Sequence, residues 1–444
     1  MFRQLKRIFD RIQSPKNRYG IETHHIDSCK VPGQSRGKLE DNGVSLSKKR
    51  FLVVYPFAID EMKILVTGGA GFIGSNLANT LIHQIKGNTR HTMQQDQTIP
   101  DGGYLEGNDK YCDVIALDDL SLGSTSNLSK EIKFVRGSIM DYDLVLELSR
   151  GCDYIFHQAA LSSSPMFIEE PRKGIDINVM GFMNVMESAK RNKVRKVIYA
   201  SSSSLYNGLP TPYRESDNII PKTFYEASFY CRETIARTYN LEYGVDSVGL
   251  RYFSVYGPNE EHKGRFANNI SQFIWDMAEK KKSPIIYGDG NQSRDFTFVD
   301  DVVQVNILAM NGKKQHKGPD DNSISNSNNI DNNKEHRRKR GNNEKSGFSI
   351  YNVGTGIQTS FNRVVEIINK QLDTDIKPVY VKNPINNYVQ HTLADISLAR
   401  LELGYEPRWK NVEDGIRQLL SLQPSSDSSS SAPLSSSQRS VRIQ

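Results

Sequence analysis

A glycine-rich stretch between a strand-like run and a helical pattern constrains this chain more than any other feature. Residues 63–67 read Lys-Ile-Leu-Val-Thr, glycines follow at 68, 71 and 74, and residues 72–85 carry apolar side chains at helical spacing. After a buried strand, this spacing predicts a tight turn at Gly68, room for a ligand at Gly71 and close helix–strand packing at Gly74. Because the N-terminus of a helix attracts anions, the stretch predicts a loop that binds phosphate groups.

Strand-like and helical segments alternate after this loop. Such alternation predicts a parallel sheet with helices on both faces. The predicted fold class is therefore α/β, a Rossmann-type doubly wound parallel sheet followed by a smaller C-terminal α/β part that completes a substrate cleft. The predicted strands of the sheet are 63–67, 113–118, 132–137, 154–159, 195–201 and 246–253, and the helices between them are 72–85, 142–149, 174–191 and 226–243. For the smaller part we predict helices at 266–281, 299–310 and 360–371 and short strands at 284–287 and 348–353.

An acidic pair ends the second predicted strand. Asp118 and Asp119 follow the apolar run 114–117, and a carboxylate at that point accepts hydrogen bonds from the ribose hydroxyls of a dinucleotide. It also repels a 2′-phosphate, so the sequence predicts NAD and not NADP; the alternative is an ordinary acidic strand end. The 44 residues from Gly74 to Asp118 are about twice the usual spacing, and a polar loop at 87–110 accounts for the excess.

The composition divides the chain into a folded body and segments that cannot bury a core. We predict an N-terminal extension at 1–61, an NAD-binding domain at 62–255 with a loop insertion at 87–110, a substrate-binding part at 256–420 with an insertion at 311–346, and a tail at 421–444. Nine Asn residues in the second insertion and eleven Ser residues in the tail predict disorder for both. The extension is either a basic membrane-surface helix or a weakly structured stretch upstream of a true start at Met62.

The charge and the cysteines narrow the class of protein. The first 50 residues hold twelve Lys or Arg against five Asp or Glu, so the remainder of a chain with net charge +6 carries about −1. The basic character therefore lies in the extension, and no nucleic-acid partner is expected. Four widely spaced cysteines and the lack of a long apolar run predict no disulfide framework, no metal site and no membrane span, which fits a cytoplasmic protein.

Several motifs beyond the glycine loop together carry a family resemblance. The chain closely resembles the NAD-dependent nucleotide-sugar epimerases and dehydratases, extended short-chain dehydrogenases/reductases of the UDP-glucose 4-epimerase type, from about residue 62 to 420 without the two insertions. The motifs are Thr67-Gly-Gly-Ala-Gly-Phe-Ile-Gly74, His157-Gln-Ala-Ala160, Asn178, Ala200-Ser-Ser-Ser-Ser-Leu-Tyr206, Tyr225, Arg251-Tyr-Phe-Ser-Val-Tyr-Gly-Pro258 and Gly288-Asp-Gly-Asn-Gln-Ser-Arg-Asp-Phe296. They are specific for the family and less specific for one substrate.

The resemblance implies a set of binding residues. Contacts to NAD are implied for Gly68, Gly71, Phe72, Ile73, Gly74, Asp118, Asp119, Ile139, Ala159, Ala160, Asn178 and Tyr225. Contacts to the nucleotide sugar are implied for Ser202, Tyr225, Ser254 and Arg294, and the planar donor fork of Arg294 suits a diphosphate. Two positions depart from the family pattern, because Ser138 replaces an Asp beside the adenine contact of Ile139 and Ser254 replaces a common Asn.

The resemblance also assigns the chemistry to a tyrosine. A base must take the hydroxyl proton as hydride leaves a sugar carbon, and Tyr225 stands at the family's position for that base, with Ser202, or next Ser203, as its hydroxyl partner. The family pattern Tyr-x-x-x-Lys is broken, because Phe229 replaces the lysine that lowers the tyrosine pKa. A tyrosine with a pKa near 10 is ionised in about one molecule in a thousand at pH 7. Arg232, on the same helical face, would help only by reaching back about 10 Å.

Three functions are compatible with this pattern. The first is 4-epimerisation of a UDP-sugar through a 4-keto intermediate, with UDP-glucose or UDP-N-acetylglucosamine as the expected substrate. The second is a related dehydratase, decarboxylase or reductase, although Ser203 and Ser204 stand where relatives that eliminate water carry acids. The third is a non-catalytic protein that binds NAD or a nucleotide sugar, which the replacement at Phe229 favours.

The resemblance has two further implications. Family members commonly form homodimers through two long helices, which correspond to 174–191 and 226–243 in this sequence. The reaction would belong to carbohydrate metabolism, making sugars for surface polysaccharide or glycoprotein.

Overall fold

Parallel strands and intervening helices build most of the computed structural model, which describes residues 62–94, 113–312, 347–383 and 388–422, without the side chains of 84–94. The strands are β1 (Lys63–Thr67), β2 (Asp113–Asp118), β3 (Lys133–Arg136), β4 (Tyr154–His157), β5 (Lys196–Ser202), β6 (Ser247–Tyr252), β7 (Val255–Tyr256), β8 (Ile285–Tyr287), β9 (Ser293–Arg294), β10 (Thr297–Phe298), β11 (Phe348–Val353), β12 (Thr359–Ser360) and β13 (Val379–Val381).

The helices follow the same alternation. They are α1 (Phe72–Gln94), α2 (Tyr142–Leu148), α3 (Ser164–Glu169), α4 (Pro171–Ile175), α5 (Phe182–Asn192), α6 (Phe224–Tyr243), α7 (Asn269–Ile274), α8 (Val299–Asn311), α9 (Phe361–Leu372), α10 (Ser397–Leu403) and α11 (Val412–Leu422). A π-type segment at Asp176–Gly181 joins α4 to α5, and another at Trp275–Glu279 follows α7. Such π-type turns are rare and often lie at functional sites.

Seven strands form one large sheet in the order β11-β6-β5-β4-β1-β2-β3. Every neighbouring pair in it is parallel. The chain runs outward from β1 to β3 and then returns past β1 to β4, so the strand order reverses between β1 and β4. In open α/β sheets, ligands bind at the carboxyl ends of the strands beside this reversal. The predicted fold class, a doubly wound parallel sheet of Rossmann type, is confirmed.

Alternating strand residues pack into two helical layers. In β1, Ile64 and Val66 share one apolar cluster with residues of α1 and α8, whereas Leu65 belongs to a cluster with residues of α2 and α5. This period of two is the geometry of a strand that is buried on both faces. Each fully buried aliphatic side chain of this kind stabilises the fold by about 1.5–3 kcal/mol. The sheet is therefore a rigid platform for the loops at its carboxyl edge.

The smaller part has a core of its own. Phe273, Phe361 and Ile416, from α7, α9 and α11, pack in one cluster together with Phe298 of β10. Short two-stranded sheets connect these helices, namely β7 with β10, β8 with β13 and β9 with β12. The amphipathic helix α11 was not predicted, although Val412, Ile416 and Leu419 repeat at helical spacing.

Two predictions of secondary structure were wrong. Helix α1 continues to Gln94 instead of ending at residue 85, so residues 87–94, which were predicted to belong to a loop, are helical; once nucleated, a helix gains one hydrogen bond for each residue added. The strand 348–353 was assigned to the smaller part, but it pairs with β6 as the outermost strand of the large sheet. Strand pairing is decided by packing across the sheet, which local sequence does not report.

Several predicted segments lie outside the described residues. These are the extension at 1–61, the loop from residue 95, nearly all of the insertion at 311–346 and the tail from residue 423. The domain boundaries drawn from them stay predictions. None of the helices in the described ranges combines the length and the apolar character that crossing a membrane requires.

Candidate active site

The glycine loop lies at the reversal of strand order. Gly68 adopts a left-handed conformation with φ of 67°, and a Cβ there would lie 2.6 Å from Ala159 N, in the loop that follows β4. At Gly74 a Cβ would lie 2.0 Å from Gly68 O, so only glycine lets α1 pack this close to the loop. A Cβ at Gly71 would meet Gly68 O at 3.3 Å and Asp118 Oδ2 at 3.9 Å. The loop thus presents bare backbone at the head of α1, as a phosphate-binding turn requires.

Asp118 is tied to this loop by hydrogen bonds. Its Oδ2 accepts from Ala70 N at 3.0 Å, and its Oδ1 accepts from Leu120 N at 2.8 Å. Burial raises the pKa of Asp118, while these two hydrogen bonds act in the opposite direction. Asp119 is exposed and accepts from Ser121 N at 2.9 Å. The predicted acid at the end of β2 therefore stands directly beside the glycine loop.

The apolar residues predicted near the cofactor are buried or half-buried around the glycine loop and the π-type segment. Phe72 is buried in the core of the smaller part, and Ile73 is half-buried between that core and the main one. Ile139 is buried against Gly181 of the π-type segment, where a Cβ would lie 2.5 Å from its Cδ1. Beside Ile139, Ser138 and Met140 line an open cleft of about 620 Å³. Space for a large planar group thus exists next to the predicted adenine position.

Asn178 organises the segment after β4. It is fully buried, its Oδ1 accepts from Leu161 N at 2.9 Å, and its Nδ2 donates to Leu161 O at 3.2 Å and to Ser228 Oγ at 3.1 Å. The half-buried Ala159 and Ala160 precede this anchored residue. Ser228 also donates to Tyr225 O at 2.7 Å. Asn178 therefore connects the β4 loop to the first turns of α6.

Tyr225 lies at the start of α6, and the threonine that precedes the helix determines where the helix begins. Thr223 Oγ1 accepts from Glu226 N at 3.2 Å, which is a side-chain cap of the helix. The Tyr225 hydroxyl donates to Ser162 O at 3.1 Å. Burial raises the pKa of Tyr225, and the neighbouring Ser202 hydroxyl and Arg232 guanidinium lower it. The structure thus brings Tyr225 and Ser202 together, as predicted, and adds Ser162, for which the sequence held no signal.

Phe229 and Arg232 follow Tyr225 along the buried face of α6. The rings of Tyr225 and Phe229 meet edge to face at 5.1 Å, and the Arg232 guanidinium lies 5.0 Å from the centre of the Phe229 ring. Arg232 is fully buried and donates to Asn178 O at 2.6 Å, to Ala159 O at 3.0 Å and to Ala200 O at 3.4 Å. The guanidinium is therefore held by carbonyls under the cleft and does not reach back to the Tyr225 hydroxyl.

The serine segment turns away from β5 beside Tyr225. Ser202 Oγ accepts from Ser204 N at 3.2 Å and lies 2.9 Å from Ser204 Oγ, so it caps the short helical turn that begins at the half-buried Ser203. A cavity of about 280 Å³ opens against Tyr225 between α3 and α6, lined in part by Ser164, Phe167 and Phe224. Tyr225 thus has a serine hydroxyl, that of Ser202, as a neighbour and also lines a largely apolar cavity.

Arg294 ends the short strand β9 of the smaller part. Its Nη1 donates to Ser293 O at 2.9 Å and Gln390 O at 3.1 Å, and its guanidinium stacks on Phe361 and Tyr388 at 5.4 and 5.1 Å. Burial lowers the pKa of Arg294, and no carboxylate in the described part of the chain pairs with it. A desolvated cation without an acidic partner is a suitable anion site.

Stacked aromatic rings connect Arg294 to the serine segment. Tyr213, whose hydroxyl interacts with the charge of Arg294, stacks on Tyr206 with ring centres 4.8 Å apart. Phe253 contacts both rings, and Ser254 follows it with a strained positive φ of 31°. Strain of this kind concentrates at functional sites. No contact between Ser254 or Arg294 and Tyr225 is present among the described residues.

Comparisons with known proteins agree with this geometry. A family model described as the NAD dependent epimerase/dehydratase family matches residues 104–324. A putative UDP-glucose 4-epimerase of Methanocaldococcus jannaschii is 32% identical over 360 residues, which cover 80% of this chain and 97% of that protein. The chain belongs to the NAD-dependent epimerase/dehydratase family. NAD is the cofactor of this family, so the prediction of NAD is confirmed.

Other members of the family are similar over the same length. UDP-glucuronate 4-epimerase 4 of Arabidopsis thaliana is 30% identical, over 80% of this chain and 74% of its own length. The solved structure of UDP-N-acetylglucosamine 4-epimerase from Methanobrevibacter ruminantium M1, in complex with UDP-N-acetylmuramic acid, has a TM-score of 0.64 and 28% identity, and covers 82% of this chain and 98% of its own. The UDP-glucose 4-epimerase of Thermotoga maritima, with UDP-glucose, has a TM-score of 0.64 and 27% identity, over 81% and 98% of the two chains. These relatives are 4-epimerases of nucleotide sugars.

Proposed function

We propose that this protein is an NAD-dependent 4-epimerase of a UDP-sugar, with UDP-glucose or UDP-N-acetylglucosamine as substrate. The observation that carries the proposal is the position of Tyr225. Its hydroxyl lies beside Ser202 in a cleft at the carboxyl edge of the sheet, and Asn178 connects its helix to the loop that touches Gly68. A phenol at this point is in hydrogen-bonding reach of a sugar hydroxyl.

Residues around the cleft have the chemistry that the ligands need. The bare backbone at Gly68, Gly71 and Gly74 suits the pyrophosphate of NAD, and Asp118 with Asp119 suits the adenosine ribose. We assign Phe72, Ile73, Ile139, Ala159, Ala160 and Asn178 to the walls of the cofactor site. When bound there, NAD would supply the hydride acceptor and donor that the reaction needs. Arg294, which has no carboxylate partner in the described ranges, would hold the diphosphate of the substrate, and Ser254 would face the sugar nucleotide.

Tyr225 would move the proton in both halves of the reaction. As base it takes the proton of the sugar 4-hydroxyl, with Ser202 holding that oxygen and Ser203 next to it, and the sugar carbon becomes a ketone. After the 4-keto sugar turns over, the hydride would return to the opposite face of C4, and Tyr225 would give the proton back to the 4-oxygen. No net oxidation results, which agrees with the names of the relatives.

Glu226, next to Tyr225, bears on the competing dehydratase function. Elimination of water needs an acid beside the keto sugar, and Glu226 is a carboxylate close to the tyrosine. Both of its oxygens already accept hydrogen bonds, one from Asn207 Nδ2 at 2.9 Å and the other from Lys222 N at 2.6 Å. Because Glu226 is buried and both of its oxygens accept hydrogen bonds near the start of α6, it is not available as the acid for elimination. This favours epimerisation over elimination.

The test is a proton NMR assay of the purified protein with NAD and one sugar at a time, UDP-glucose, UDP-N-acetylglucosamine or UDP-glucuronate. We expect the 4-epimer to accumulate with one of the first two. Tyr225→Phe should lower the rate by about 10²–10⁴-fold. The matched control is Tyr287→Phe, an exposed tyrosine of β8 outside the cleft, which should keep the full rate. If no sugar changes and Phe229→Lys does not start the reaction, a reductase or a binding role replaces this proposal.

A homodimer through the long helices is part of the same proposal. Large apolar side chains are exposed on both helical stretches, among them Met180 of the π-type segment, Met183 of α5, and Tyr230 and Leu241 of α6. Exposed apolar patches of this kind are typical of subunit interfaces. Light scattering at micromolar concentration should give twice the mass of the 50.2 kDa chain. A cytoplasmic location remains a prediction from the sequence.

A further inference from the structure

The buried arginine of α6 has no acidic partner within the described ranges. Arg232 is fully buried, and its three hydrogen bonds all go to backbone carbonyls, at Ala159, Asn178 and Ala200. No carboxylate of the described ranges forms an ion pair with it. A buried charge without a counter-ion is costly, and an apolar side chain of similar length would avoid that cost. Arg232 is therefore a candidate for an electrostatic role in this site.

The charge lies close to the proposed base. Phe229 is in contact with Tyr225 on one side and with the Arg232 guanidinium on the other, and all three belong to the same buried face of α6. Seven residues along a helix span about 10 Å. An apolar ring between two groups excludes water, so the positive charge is screened far less than it would be at the surface.

We propose that Arg232 is a positioning residue of this site, whose guanidinium, fixed by three carbonyls beneath Phe229, provides the positive charge that stabilises the Tyr225 phenolate. The inference rests on the proposed function of Tyr225 as the base. It also assigns a mechanical role to the same side chain, because Ala159 follows β4, Ala200 is in β5 and Asn178 is in the π-type segment. One guanidinium therefore connects the loop after β4, strand β5 and the π-type segment to α6.

The other ionisable groups around this pair do not cancel the charge. Burial and the charge of Arg232 hold the pKa of His157, at the end of β4, well below its usual range, so the imidazole is neutral. Burial raises the pKa of Tyr199, in β5, well above its usual range, so that phenol is neutral too. Glu226 raises the pKa of Tyr225, and Glu233 is paired with Arg251. Burial lowers the pKa of Arg232, but a guanidinium keeps its proton in proteins, so the positive charge is present throughout the titration of Tyr225.

The experiment measures Tyr225 ionisation directly. For the NAD-bound protein, the ultraviolet difference spectrum between each variant and its Tyr225→Phe counterpart isolates one phenol out of 20 tyrosines over a pH series. Arg232→Gln is neutral but still donates to carbonyls, and Arg232→Lys keeps the charge. We expect Arg232→Gln to move the Tyr225 midpoint upward by about one pH unit, the order for a charge about 10 Å away at an effective dielectric constant near 20. Arg232→Lys should restore most of the wild-type midpoint.

Activity gives a second, separate readout. If the wild-type protein epimerises a UDP-sugar, the pH at which kcat/KM rises should shift upward in Arg232→Gln by the same amount as the Tyr225 midpoint. In Arg232→Lys it should lie close to the wild-type value. A midpoint unchanged in Arg232→Gln overturns the role of Arg232 and leaves the proposed function standing. A wild-type protein without activity overturns the function, while the spectral titration still decides the role of Arg232. If Arg232→Gln does not fold, the neutral variant Arg232→Met takes its place: an upward shift of its Tyr225 midpoint supports the proposal, and an unchanged midpoint refutes it.

Discussion

Two buried arginines, Arg232 of α6 and Arg251 of β6, are accommodated in opposite ways. Arg251 of β6 donates from Nε to Glu233 Oε1 at 2.8 Å and from Nη2 to Glu233 Oε2 at 2.7 Å, a two-point ion pair inside the protein. Its third donor group reaches Tyr206 OH at 2.6 Å. Arg232, the residue next to Glu233, donates only to carbonyls among the residues that the structure describes. A structural arginine in this fold is thus paired with an acid, and the unpaired one lies beneath the proposed base.

The electrostatic consequences also differ in sign. Burial alone would lower the pKa of Arg251, but the hydrogen bonds and charge of Glu233 outweigh it, and the pKa is raised. For Arg232 burial dominates, and the pKa is lowered. The field of Arg251 is neutralised by its partner, whereas the field of Arg232 extends toward Tyr225. The comparison indicates that the counter-ion, and not burial itself, decides the role of a buried arginine. An arginine paired with an acid stabilises the fold, whereas an unpaired one acts on the pKa of a neighbouring group.

The largest expected effect is on stability at the paired arginine. Arg251→Met leaves the Glu233 carboxylate buried with Ser201 Oγ as its remaining close donor at 2.6 Å. We expect a loss of about 3–5 kcal/mol in the free energy of unfolding, because one partner of a buried ion pair has been removed. Urea denaturation followed by circular dichroism measures it.

Two further variants test this explanation. The double variant Arg251→Met/Glu233→Leu should recover a large part of the loss, since no uncompensated charge remains. Glu170→Gln, which breaks an exposed pair with Lys173, should change stability by less than about 1 kcal/mol. A double variant no more stable than Arg251→Met alone would contradict the role given to the buried charge.

A smaller loss is expected at the unpaired arginine. Arg232→Met removes a buried charge and leaves carbonyls without a donor, so the two effects partly offset each other. We expect a loss of about 1–2 kcal/mol in the same denaturation experiment, well below that of Arg251→Met. A loss as large as that of Arg251→Met would mean that Arg232 is mainly a structural residue, and the contrast between the two arginines would fail.

Local features of the site could be predicted from the sequence, and its long-range features could not. The glycine turn and the start of α6 follow from spacing within a few residues, so Gly68, Gly74 and Tyr225 lie where the pattern indicates. Helical periodicity assigned Arg232 to the same face as Tyr225. It could not indicate that carbonyls from three separate segments would hold the guanidinium, because those segments meet only through the packing of the sheet.

The same distinction explains the errors. Strand 348–353 looked like part of the smaller region, since its place beside β6 depends on pairing between residues about 100 positions apart in the chain, such as Val353 and Tyr252. Ser162 entered the site through its backbone carbonyl, and a carbonyl leaves no trace in the amino-acid pattern. Side-chain chemistry is thus read from sequence more reliably than the backbone groups that complete a site.

The smallest expected effect separates the two ends of α6. Thr223 caps the helix two residues before Tyr225, whereas Arg232 and Glu233 lie more than two turns inside it. Thr223→Ala should lower the free energy of unfolding by about 1 kcal/mol, with Thr234→Ala, an exposed threonine of the same helix, as a control without a cap to lose. Because a helix frays from its first turn, Thr223→Ala should change the pH midpoint of Tyr225 ionisation. The interaction energy between Arg251 and Glu233, measured in a double-mutant cycle, should stay the same. If the stability losses of Thr223→Ala and Arg251→Met were not additive, α6 would respond as one rigid unit. The environments of Arg232 and Arg251 would then not be independent.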